Sequence, residues 1–111
     1  MVIAQRTLYI SRPDGDLPVT VDIHAPHEVE AYHWACDYEI GWPEGKRIYA
    51  GHGVDSVQAL WIAMQMIGIE LYTNEHHKAG RLYSERQKGG YGFPIAANCR
   101  DLLVGDDRHD A

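Results

Sequence analysis

Residues 17 to 23 read Leu-Pro-Val-Thr-Val-Asp-Ile, with Leu17, Val19, Val21 and Ile23 on one side and Thr20, Asp22 and His24 on the other. A period of two places an apolar row on one face of a strand and a polar row on its reverse. Three neighbouring stretches repeat the pattern less cleanly. Val2 to Ile10 alternates except that Arg6 falls on the more apolar face. Tyr32, Trp34, Cys36, Tyr38 and Ile40 oppose His33, Ala35, Asp37 and Glu39, and a fourth stretch runs from Lys46 to Gly51 with Ile48 and Ala50 in phase. Pro13-Asp14-Gly15-Asp16 and Gly41-Trp42-Pro43-Glu44-Gly45 supply turn chemistry between them. The expectation is a four-stranded antiparallel meander. Pairing residue 8 with 21, 21 with 36 and 36 with 50 brings all four apolar faces together.

A sheet apolar on one side needs a cover. Ser56 to about Thr73 provides a helical run, roughly 27 Å long at the usual rise per residue. Val57, Leu60, Trp61, Met64, Ile67, Gly68, Leu71 and Tyr72 share one broad stripe suited to the sheet, with Gly68 placed for close approach to the strands. Asp55 followed three residues later by Gln58 reads as a capping pair at the helix start. Ile62, Met66 and Ile69 project to the other side and also need covering. The chain's own tail, Tyr91 to Ile95 and Asp101 to Val104, is the favoured cover, and a second copy across a twofold axis is the alternative. A monomer is therefore expected. The fold class is α+β: the meander, one long helix across it, and a C-terminal extended segment and tail. The 111 residues form one domain with its core between about residues 2 and 104 and a frayed end from 105 to 111.

Function classes are narrowed mainly by exclusion. A formal charge of −6 disfavours nucleic acid and anionic membranes and suits a basic protein partner. The amino terminus lacks a basic start and a long apolar centre, so a cytoplasmic protein is expected. Cys36 and Cys99 have no Cys-x-x-Cys context, which indicates neither a disulfide framework nor a zinc knuckle. Gly51-His52-Gly53 resembles the start of a dinucleotide loop but lacks the third glycine and the strand-helix-strand setting. Asp55 would also repel an anion at the helix mouth. Gly51 and Gly53 are read instead as freeing the backbone to leave the last strand. No cofactor is expected.

Seven histidines in one short chain are the chemical anomaly. With the pairing above, His24 and His33 become cross-strand neighbours on the polar face, with Asp37 beside them, a candidate half-site for a metal. Solvated histidines are the simpler reading, and no nucleophile stands in a recognisable catalytic context. Arg81, Arg86, Lys88 and Tyr91 form a basic, aromatic cluster suited to partner binding.

Gly53 to Leu60 (GVDSVQAL), Leu71-Tyr72-Thr73, Lys78-Ala79-Gly80-Arg81-Leu82 and Gly90 to Pro94 (GYGFP) together resemble a family of small uncharacterised bacterial domains over residues 20 to about 105. The resemblance implies a bacterial cytoplasmic protein and brings no established activity or catalytic residues. The expected function is a non-enzymatic interaction module, immunity-like in binding a basic protein. The alternative is a small enzyme or metal-dependent binder using the polar sheet face.

Overall fold

A computed structural model describes residues 1 to 85 and 90 to 95. It corrects the expected fold class: the described residues are mostly sheet, 46% strand and 24% helix, with six strands among them curled into a half-barrel rather than four in a meander. The strands are β1 (Val2–Ile10), β2 (Leu17–His24), β3 (His27–Glu30), β4 (His33–Trp42), β5 (Gly45–Gly53) and β6 (Leu82–Tyr83). The helices are α1 (Ser56–Thr73) and the single turn α2 (Glu75–Lys78).

β4 organises the sheet. β5 pairs with it along one flank from Trp34↔Gly53 to Trp42↔Gly45. β2 and β3 share the other flank end to end, through Val21↔Ile40 and His27↔Ala35. Pro26 has no N–H to give a ladder, so the run breaks there and the register slips by one residue across the bend. β1 follows outside β2, and β6 adds two residues at its far edge. Sequence periodicity misses β3 because His27-Glu28-Val29-Glu30 is exposed throughout and carries no alternation. Tyr32, expected on an apolar strand face, occupies the β3–β4 turn with φ 59° and is 82% exposed.

The expected register is also corrected. Val21 faces Arg6 and Ile40, not Leu8 and Cys36, and Cys36 faces Gly51. The β1–β2 and β2–β4 displacements are even, so those three apolar faces still coincide although the partners differ. The β4–β5 displacement is one residue, which turns Ile48 and Ala50 to the opposite face and leaves Ile48 63% exposed. Leu8, Ile10, Val19, Val21, Cys36, Tyr38 and Ile40 are all buried in one core with Ile67 and Leu71. Each fully buried Ile or Leu contributes about 1.5–3 kcal/mol.

α1 begins and ends where the periodicity places it, and its cap is the expected one. Gln58 N donates to Asp55 Oδ1 at 2.8 Å, and the Gln58 side chain accepts from Val54 N at 2.7 Å. Its buried face, however, is turned from the expected stripe toward Ala59 and Ala63, leaving Val57 73% and Trp61 51% exposed. The cause is Gly51 and Gly53. A Cβ on Gly51 would lie 2.4 Å from Ala63 N, and one on Gly53 would lie 2.5 Å from Ala59 N. The pair therefore belongs to β5 and forms a trough for the smallest residues of the helix, rather than a hinge at the strand end.

Gly68 serves a second close approach, to the chain's C-terminal part rather than to the strands. A Cβ there would meet Pro94 O at 2.4 Å. Tyr91, Phe93 and Ile95 are buried in the core. Arg6, the residue out of phase in β1, donates from Nη1 to Tyr91 O at 2.7 Å and stacks over Phe93 at 5.2 Å. Among the described residues, no helix is long and apolar enough to cross a membrane.

Candidate functional site

The two halves of α1 meet the sheet differently. At Gly51 and Gly53 the helix backbone touches the strand. Toward the β4–β5 turn, β5 carries Arg47 and Tyr49 instead, and side chains of that size hold helix and hairpin apart. Two adjoining hollows of about 320 Å³ each open there. One is walled by Tyr38, Tyr49, Met66 and Ile69, the other by Trp42, Glu44 and Asn74, and both reach Arg47, Glu70 and Thr73.

Glu70 sits at the waist of this groove with 17% of its side chain exposed. Arg47 Nε donates to its Oε1 at 3.1 Å, and the Tyr38 hydroxyl approaches Oε2 at 3.4 Å. The Arg47 guanidinium also lies 4.7 Å from the Tyr49 ring centre, so one cation is held between a carboxylate and an aromatic face. Burial, then the Glu70 charge and the hydrogen bond to it, push the Tyr38 hydroxyl well above the ordinary tyrosine range. It remains a proton donor rather than an anion. At the far end Trp42 stacks on His76, with ring centres 5.7 Å apart, and His76 Nε2 donates to Glu44 Oε2 at 3.0 Å. Burial raises the Glu44 pKa, but the His76 hydrogen bond and the remaining favourable contacts outweigh it and leave the carboxyl below its ordinary value. The groove is thus acidic and aromatic, with an apolar floor.

The expected metal half-site does not assemble. His24 Nε2 donates to Glu39 Oε2 at 2.8 Å, and Lys46 meets the other oxygen at 3.3 Å. These two hydrogen bonds hold the Glu39 carboxyl below its usual range. His33 lies opposite Glu30, not His24, and Asp37 lies opposite Ala50. The true register, four residues away from the expected one between β2 and β4, is the reason. Among the described residues no three His, Cys, Asp or Glu side chains converge as metal ligands. Cys36 is buried with its pKa raised by that burial and by Asp37, the state of an unreactive core thiol.

Of the expected partner-binding cluster, Arg81 and Tyr91 are described, and their settings differ. Arg81 is exposed, and its backbone is fixed by Ser11 N to Arg81 O at 2.9 Å and Arg81 N to His76 O at 3.0 Å. Tyr91 is buried, and its hydroxyl donates to His77 Nδ1. Arg86 and Lys88 lie outside the described residues, as do 101 to 104 of the expected tail cover. Ile62, Met66 and Ile69 are all partly buried, and Met66 and Ile69 face the groove. Sequence reading missed the groove because its residues come from β4, β5 and α1. Its one local signal is that β5 changes from Arg47 and Tyr49 to Gly51 and Gly53 along a single face.

Residues 4 to 95 match the family model described as a domain of unknown function, DUF6968, and the chain belongs to that family. The expected membership of a small uncharacterised domain family therefore holds, over a somewhat more N-terminal span than expected. No curated protein and no solved structure matches the chain.

Proposed function

We propose that this member of the DUF6968 family is a non-enzymatic interaction module that docks a basic, extended segment of a protein partner in the groove between α1 and the β4–β5 hairpin. The observation that carries the reading is Glu70, a largely buried carboxylate at the waist of a groove walled by Tyr38, Tyr49 and Trp42. Carboxylates beside aromatic faces recognise ammonium and guanidinium groups. Arg47, held between Glu70 and Tyr49, supplies an example of that chemistry from the chain itself. The net charge of −6 favours encounter with a basic surface.

β5 supports an extended ligand in particular. Among the described residues it pairs with β4 alone, so its outer edge offers backbone groups beside the groove. A segment added there as a strand would send alternate side chains toward the hollow over Arg47 and Tyr49. The bacterial cytoplasm is the setting this proposal assumes, on the resemblance carried by the chain's motifs.

A peptide alternating arginine and valine, titrated calorimetrically beside one alternating glutamate and valine, tests the reading. The arginine peptide is expected to bind alone, to weaken in about 0.5 M salt, and to lose affinity about tenfold or more in Glu70→Gln. Equal binding of both peptides, or unchanged affinity in Glu70→Gln, would refute it.

A further inference from the structure

The outer face of the sheet, away from α1, carries a histidine pair that the expected half-site did not contain. His52 on β5 lies opposite Ala35 on β4, and His33 stands two residues from Ala35 on the same face. Such diagonal cross-strand positions are close enough for long or aromatic side chains to meet. Ala35 between them ends at a methyl group. The rings approach with centres 5.1 Å apart, and His33 Nε2 lies 3.0 Å from His52 Nδ1.

We propose that His33 and His52 form a two-imidazole chelate for a divalent transition metal, copper(II) before zinc(II). Imidazole nitrogens bind such ions at about 2.0–2.1 Å. Two of them therefore stand about 2.9 Å apart at a right angle and about 3.4 Å apart at a tetrahedral one. The observed 3.0 Å falls within that span, although the rings now meet nearly head-on in a hydrogen bond, so each must rotate to turn its lone pair onto one ion. Divalent copper is also the tightest binder of nitrogen ligands in its series.

A second observation supports ligation. Glu30 Oε1 lies 3.7 Å from His33 Nδ1, the nitrogen turned away from His52. A carboxylate hydrogen-bonded to the distal nitrogen of a ligating histidine is the usual outer partner of a metal site, and Glu30, just beyond hydrogen-bond distance, reaches that position by a small turn of its exposed side chain. The contact between the rings is a hydrogen bond in which the N–H of one imidazole donates to the bare nitrogen of the other. An entering ion replaces that bridging proton, which the donor ring takes up on its other nitrogen. The imidazole stays neutral and no redox change is involved. Both side chains are reachable from solvent, so water fills the remaining positions of the ion.

The site is independent of the groove on the α1 side. Calorimetric titration with copper(II) and zinc(II) salts, with electron paramagnetic resonance of the copper form, tests it. One equivalent is expected to bind, copper more tightly than zinc, with hyperfine structure from two imidazole nitrogens. His33→Ala and His52→Ala should each weaken copper at least tenfold, while His24→Ala and His27→Ala leave it unchanged. Circular dichroism confirms that the exposed-site variants remain folded. Unchanged affinity in either His33→Ala or His52→Ala, or an equal loss in His24→Ala, overturns the assignment.

Discussion

The N-terminal and C-terminal halves of α1 cross the same hairpin, yet one half is sealed against it and the other stands off. At Ala59 and Ala63 the helix rests on Gly51 and Gly53, with no room for a Cβ between backbones. At Met66, Ile69 and Glu70 it faces Arg47, Tyr49 and Tyr38 across a groove. The first half is held by close packing, which is sensitive to volume and indifferent to salt. The second keeps Ile67 and Leu71 in the core but meets the hairpin through Arg47–Glu70, and α2 adds Trp42–His76 and His76–Glu44, contacts that respond to charge and pH. Residue size along one strand has separated a close-packed joint from an open groove.

The most severe way to break this contrast is Gly51→Val. Its side chain would collide with helix backbone, which cannot rotate away, so a loss of about 3–5 kcal/mol is expected. That corresponds to a melting temperature lower by roughly 15 °C or more in calorimetry. Arg47→Val, the same product residue four positions earlier, should cost no more than about 1 kcal/mol. Equal losses would mean that the groove half is packed as tightly as the other.

Asp55→Ala removes the side-chain acceptor for Gln58 N and should cost about 1 kcal/mol. Hydrogen exchange is expected to rise over the first turns of α1 and not over residues 69 to 78. Glu70→Gln should cost at most about 1 kcal/mol by chemical denaturation, since its Arg47 partner is half exposed. A much larger loss would make the groove a structural joint as well.

The smallest expected effect is a pH dependence at the end of the C-terminal half. His77 packs against Tyr72 and Tyr91, and burial lowers its pKa from the ordinary value of 6.5. The unfolded chain therefore takes up its proton first on acidification. Stability from this group is fully present above about pH 6.5 and is lost as the pH falls from there through the lowered folded value. Denaturation midpoints measured from pH 7 to 5 should decline, and His77→Gln should flatten the decline. Glu39 and Glu44, whose pKa values are also lowered, add a loss in the same direction at more acidic pH.

The fold was legible where local chemistry decides it. β2 follows its period-two pattern, and α1 follows its cap and its apolar run. The turn at Pro13 to Asp16 follows from glycine, confirmed by φ 128° at Gly15. β3 was not legible, since its four exposed residues become a strand only by pairing with the long β4. The His24 and His33 half-site failed because a sheet's apolar faces agree at every even displacement, and the pattern cannot choose among them. Arg6 looked like an imperfection in β1 and proved to be the anchor for Tyr91 and Phe93.

By itself, then, the sequence determined the main strands, the one long helix and its start, because propensity, periodicity and capping act between residues close in the chain. Only the tertiary structure decided which face of α1 meets the sheet, where the groove opens and which histidines become neighbours. Those outcomes depend on register and on the volume of side chains brought together from distant segments, and no local stretch specifies either.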